Sequence, residues 1–191
     1  MTMPDSSISE LTQPDLEIAS YPSLDDSLIA EIVEVHRLSF PHIAATSPAR
    51  LVAEDSEVVG LCSHPAMRAV AARRQGRLSG VVLWTDDLSA VPWVEPSFFE
   101  RRTDERDGAA RFGYIVSFFI DPAEPQSTLT GLIYSFVETL ASDGIVHVYF
   151  DATAERARQW KLAARWHLGP GSSIDTVATH TFNLLKIGPR R

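Results

Sequence analysis

Apolar and polar positions alternate along this chain in two rhythms, and the changes between them mark out the elements. The stretch LEIASYP, from Leu16, reads as a first strand closed by Pro22. In SLDDSLIAEIVEVHRLSF the apolar residues Ile29, Ile32, Val33 and Phe40, with His36 among them, fall at helical spacing, with Ser23 or Asp25 as the N-cap. The next segment, SPARLVAEDSEVVGLCSHP, predicts a second helix somewhere within 48–60. Two strands, Ala69–Arg73 and Gly80–Thr85, follow around a turn at Gln75-Gly76. A long polar and aromatic connection, DDLSAVPWVEPSFFERRTDERDGAAR, reads as an extended loop.

The most apolar strand spans Phe112–Ile120 and ends at Asp121-Pro122. Beyond it, Leu129, Leu132, Ile133, Phe136, Val137 and Leu140 form an apolar helical stripe that the SDG sequence stops. IVHVYFDA is then a further strand, with His147 placed on one face together with Ile145, Tyr149 and Asp151. AERARQWKLAARW is a short helix and HTFNLLKI a closing strand, with one more strand allowed between 169 and 179. The order β-α-α-β-β-β-α-β-α-β places the chain in the α/β class with a mixed sheet, its centre flanked by helices on both faces. Neither a repeat nor a linker divides it. A flexible polar tail over 1–14 and a single domain over 15–191 are expected.

Composition narrows the chemistry. The 191 residues are 45% hydrophobic and 22% charged, enough for a packed core, and the formal net charge is -8. That charge argues against nucleic acid or an anionic membrane surface as partner and suits an amine-bearing ligand. The single cysteine, Cys62, allows no internal disulfide and is read as a small buried group rather than a nucleophile. The first residues lack the basic start and apolar core of a secretory signal, and no stretch reaches the apolar length of a membrane span. A cytoplasmic protein is expected. HExxH, paired CxxC and GxSxG patterns are missing, so neither a metal site nor a hydrolase elbow is indicated.

The stretch VSFFIDP followed by Gln126-Ser127-Thr128-Leu129-Thr130-Gly131 resembles the strand and the Q/R-x-x-G-x-G/A loop of the GNAT acyltransferases. Gln126 matches the first position and Gly131 the last, while Leu129 stands at the middle glycine. AERARQWKLAARW is similar to that family's N-E-R-A-x-x-L-Y helix, with Glu155, Arg156 and Ala157 in place. Ala154, Lys161, Arg165 and Trp166 are departures. The resemblance covers roughly residues 16–187.

It implies a GNAT-like fold, acetyl-CoA or another acyl-CoA as donor, and a small-molecule amine as acceptor, and it leaves a homodimer open. The donor would be held by Phe118, Phe119, Ile120, Gln126, Ser127, Thr128, Leu129, Thr130 and Gly131, because a helix N-terminus with glycines admits a diphosphate. For the proton transfers the resemblance points to Tyr114 at the base position of the central strand and Lys161 at the acid position. His147 is a second base candidate by its working-range pKa. Each also reads as an ordinary residue: a packed tyrosine, a core histidine, a solvated lysine. His36, Phe40, Trp84 and Asp86 are candidate acceptor-binding residues. The other reading is a GNAT-fold protein whose coenzyme A site has degenerated into a binding module, which the departures at Leu129, Ala154, Lys161 and Arg165 favour.

Overall fold

The structure, a computed structural model, describes residues 15–40, 52–107 and 111–151. In order these form β1 (Leu16–Tyr21), α1 (Asp26–Ser39), α2 (Asp55–Cys62), β2 (Arg68–Arg74), β3 (Arg77–Thr85), a 3-10 turn (Leu88–Ala90), α3 (Pro96–Asp107), β4 (Arg111–Ile120), α4 (Gln126–Ser142) and β5 (Ile145–Phe150). All lie in a compact unit spanning Met1–Asp151. The expected helix around Lys161, the closing strand and the 1–14 tail lie outside the described residues.

Five strands build one mixed sheet in the order β1-β2-β3-β4-β5. The first three pairings are antiparallel and β4–β5 is parallel. Strands β2 and β3 are joined by Gln75-Gly76, both at positive φ (52° and 76°), the geometry of a type I′ hairpin turn. Asp25 caps α1 by accepting the Leu28 amide at 2.8 Å. Gly144, with φ of 70°, ends α4 after the Asp143 C-cap, as the SDG sequence predicts.

Each sheet face has its own core. On one, Leu28, Ile32, Val35 and Val58 from α1 and α2 pack on Ala69, Val81, Leu83 and Phe119. On the other, Leu132, Phe136 and Leu140 of α4 pack on Val70, Val82, Trp84 and Ile145. A smaller cluster of Leu88, Val91 and Tyr114 continues the first face towards β5, with Phe99, Phe112 and Tyr149 against it.

Three expectations need correction. The connection after β3 is not a loop throughout: α3 occupies Pro96–Asp107, with proline at the first helical position, where its missing N–H costs nothing. The Gln126–Gly131 segment is no loop either, since α4 begins at Gln126 and the loop proper is Asp121–Pro125. On β5 a register shift between the first two pairs, Arg111↔Ile145 and Phe112↔His147, breaks the simple alternation. Ile145 therefore packs into the α4-side core, while Tyr149 lies in the cluster on the opposite face.

Candidate active site

The two central strands part company halfway along β4. Between β3 and β4 the register runs Leu83↔Ser117 and then Trp84↔Ile115, which leaves Val116 as an extra residue in a β-bulge. Immediately before it, Ile115↔Phe150 is the last β4–β5 pair. A bulge bends its strand and raises the local twist, so Val116–Ile120 runs on beside β3 without β5 alongside. This edge of β4, without a strand partner among the described residues, leads to the start of α4.

The end of that edge is closed by a side chain from α1. Ser39 Oγ accepts the Ile120 amide at 2.9 Å, and its single proton lies within reach of the Ile120 carbonyl at 2.9 Å and the Val35 carbonyl at 2.8 Å. Ile120, expected to offer its backbone to a donor, has it engaged with Ser39. Beside it, Phe119 is buried and its ring meets those of His36 at 5.0 Å and Phe40 at 5.7 Å. The structure thus brings together three predicted site residues, as one aromatic group that packs α1 on β4.

His36 is 4% exposed, and neither ring nitrogen has a hydrogen-bond partner among the described residues. Its Nδ1 stands 3.7 Å from Asp55 Oδ1, too far for a hydrogen bond but close enough for attraction. Burial outweighs that attraction and holds the imidazole below its ordinary pKa. His36 is a neutral packing residue here.

At the start of α4, Pro125 occupies the N-cap position and no side chain caps the helix. The first-turn amides therefore have no side-chain acceptor, the condition under which a helix end attracts an anion. The three hydroxyls that follow have different fates. Thr128 is fully buried, donates to Glu124 at 2.8 Å and accepts from Arg74 at 2.9 Å. Thr130 donates to the Gln126 carbonyl at 3.1 Å. Ser127 Oγ is buried with no partner among the described residues. Of the predicted hydroxyl donors, only Ser127 keeps a hydrogen to give to a ligand.

Arg74 also donates from Nε to Glu124 at 2.9 Å, closing a triangle of arginine, carboxylate and threonine. None of the three was singled out as structural from sequence, although Glu124 next to a helix start is a signal for it. Beside them a cleft of about 330 Å³ is lined by Arg74, Gln75, Arg77, Ser79 and Glu124. It lies towards the β2–β3 hairpin, on the opposite side of β4 from β5.

Leu129 is half-buried. Gly131 packs against β1: a Cβ there would stand 2.8 Å from Ile18 Cδ1. The glycine is thus accounted for by strand packing, with no ligand required.

Tyr114, the expected base on the central strand, lies within β4. It is 1% exposed and donates its phenolic hydrogen to Asp151 Oδ2. Burial first, then that hydrogen bond to a carboxylate, drive its pKa well above the ordinary tyrosine value. In this arrangement the phenol serves Asp151 as a hydrogen-bond donor. His147 pairs with Phe112 in the closed half of the β4–β5 ladder, below the bulge. Lys161 lies outside the described residues.

The remaining two predicted acceptor residues sit elsewhere. Trp84 is 1% exposed beneath α4, its ring 6.1 Å from Phe136, with the Arg68 guanidinium 5.1 Å over its face. Asp86 is paired with Arg68 at 3.3 Å and Arg111 at 2.8 Å. Together with Asp143, these charges tie the far ends of β2, β4 and α4, away from the opening.

No family model matches the sequence, and no curated protein matches it. Solved structures do. An aminoglycoside acetyltransferase from an uncultured soil metagenomic sample, in complex with sisomicin, aligns over 91% of this chain and 98% of its own, with a TM-score of 0.55 and 14% identity. An aminoglycoside N-acetyltransferase in complex with CoA aligns over 87% and 94%, with a TM-score of 0.53 and 11% identity. The ribosomal-protein-S18-alanine N-acetyltransferase from Escherichia coli aligns over 79% and 76%, with a TM-score of 0.53 and 10% identity. At such identities the likeness speaks for architecture alone. The mixed five-stranded sheet, bulged at β4 and flanked by helices, is the GNAT acetyltransferase fold.

Proposed function

We propose that the protein transfers an acyl group from an acyl-coenzyme A to the amine of a small molecule. The observation that carries this reading is the bulge at Val116, which frees the second half of β4 from β5 directly ahead of an uncapped α4 N-terminus. The solved structures that resemble the chain are named for acyl transfer to amines, which agrees.

The residues at α4 fit a diphosphate: the amides of Gln126 and Ser127 face no side-chain acceptor, and the Ser127 hydroxyl is unpartnered. When bound, an acyl-CoA supplies a thioester; the amine nitrogen forms the new C–N bond, the C–S bond breaks, and one amine proton ends on the sulfur. The chain's part is to hold and orient. Ser127 and the first turn of α4 bind the anion, and the Val116–Phe119 edge flanks the reacting carbonyl with backbone donors. Buried Phe119 and His36, with half-buried Phe40 against them, keep water from that side.

A second reading is a binding module that has lost acyl transfer. Ser39 on the Ile120 backbone and Glu124 beside the helix start favour it, since both occupy positions a donor would use. Differential scanning fluorimetry with acetyl-CoA, followed by thiol release on a panel of primary amines, separates the two. Acyl transfer requires a rise in Tm by mass action and amine-dependent thiol release. An unchanged Tm at millimolar acetyl-CoA leaves the binding module. Replacing Leu129 with glycine and finding tighter acetyl-CoA binding identifies the leucine as the obstacle at the diphosphate seat.

A further inference from the structure

The point where β4 and β5 separate carries a side-chain pair that holding a donor does not use. Asp151 is the residue directly after β5 and lies exposed beside the last strand pair, Ile115↔Phe150. Its Oδ2 accepts the hydroxyl of Tyr114, and among the described residues Oδ1 has no partner. The Tyr114 ring is fixed by its surroundings: it is buried in the cluster with Leu88 and Val91, and the Phe99 ring meets it edge-on at 5.9 Å.

The Asp151 carboxylate is anchored through Oδ2 by a donor that is itself rigidly packed. It also cannot turn freely, so its second oxygen points in a set direction. Two oxygens offer about four acceptor sites, of which Tyr114 fills one. What completes such a group is a cationic donor. Next to the Tyr114 ring stand the half-buried rings of Phe99 and Tyr149, 4.9 Å from one another. The carboxylate and these rings together select for a positive nitrogen carried on an apolar or aromatic body.

We propose that Asp151 is the ion-pair seat for the acceptor's ammonium group, and that Tyr114 is the residue that positions its carboxylate. The substrate class is then a primary amine, cationic at neutral pH, with an apolar or aromatic body. That the bound ammonium first gives one proton to solvent, and that the neutral amine is then acylated, rests on the acyl-transfer reading; the binding preference does not.

Isothermal titration of the full chain, without any acyl donor, with benzylammonium chloride and with benzyl alcohol tests this. Benzylammonium is expected to bind about tenfold tighter than its neutral counterpart, the scale of one well-oriented charged hydrogen bond. Asp151→Asn should abolish the preference, and Tyr114→Phe should reduce it about threefold while leaving the benzyl alcohol affinity unchanged. If Tyr114→Phe does not fold, ionic strength replaces it. Raising salt from about 50 to about 500 mM should weaken benzylammonium several-fold and leave benzyl alcohol alone. Equal affinity for the two ligands, no measurable binding of either, or a preference that survives in Asp151→Asn overturns the assignment. Absence of turnover with acetyl-CoA sinks the acyl-transfer reading and leaves this preference standing. Turnover whose amine KM is unmoved by Asp151→Asn does the reverse.

Discussion

Replacing Thr128 with valine isolates the chemistry of the α4 start from its shape. Valine fills the same volume in a site that is fully buried, so the change deletes one hydroxyl and opens no cavity. The hydroxyl gives one hydrogen bond to Glu124 at 2.8 Å and takes one from Arg74 at 2.9 Å. Hydrogen bonds to charged groups contribute about 1.5–3 kcal/mol each. The full sum overstates the loss, because Arg74 and Glu124 still meet at 2.9 Å and are 22% and 13% exposed, so water can reach part of each. A loss of about 2–3 kcal/mol remains. For a chain of this size that lowers Tm by about 4–12 °C, at about 2–4 °C per kcal/mol. Urea denaturation of Thr128→Val, of Glu124→Gln and of the double variant should show coupling of at least about 0.5 kcal/mol. A loss for Thr128→Val below about 0.5 kcal/mol, or strict additivity in the cycle, refutes the triangle as a unit and returns the Thr128 hydroxyl to the pool available for a ligand.

Other outcomes follow from the buried titratable groups and the hairpin. His36 has a folded pKa below its unfolded one, so its contribution is present above about pH 6.5 and fades as pH falls, when the unfolded chain binds the proton more readily. The urea midpoint should therefore drop less between pH 7.5 and 5 in His36→Phe than in the wild type. Cys62, whose thiol burial pushes up to about 12, should resist alkylation at pH 8 until the chain unfolds. It should also lower stability as pH rises above about 9, where the unfolded thiol ionises first. Tyr114 should supply the highest-pH phase of the 295 nm absorbance titration, a phase missing in Tyr114→Phe. Gln75 holds a positive φ of 52°, so Gln75→Asn, better suited to that region of a type I′ turn, should gain about 0.5–1 kcal/mol by thermal melt.

Where apolar spacing is regular, the sequence announces the element. The stripes of α1 and α4 and the run of β4 sit where the periodicity puts them, because one buried face suffices to declare each. Helix α3 escapes that reading: PSFFERRTDERD has two adjacent aromatics and then only threonine and charge, so no apolar face recurs every third or fourth residue. A one-residue bulge is also invisible to spacing arguments, and two of them, at β4 and at the foot of β5, decide which residues face the opening. The site suffers most, because its pairings join distant parts of the chain. Ser39 meets Ile120 across 81 positions and Tyr114 meets Asp151 across 37, with no local pattern at either end. Thr128 shows the same effect at short range. A threonine in a first helical turn suggests an available hydroxyl, yet Arg74, 54 positions earlier, has already claimed it.

One hydroxyl at the end of α1 stands in for a missing neighbouring strand, satisfying donor and acceptor of the same residue of β4. Any molecule that lies along that edge by main-chain pairing has to evict it. Eviction loosens the last turn of α1, and with it the aromatic contact between Phe40 and Phe119. Pairing along that edge and unlatching that helix are then a single event, so amide exchange at residues 36–40 would report occupancy from a place the guest never touches.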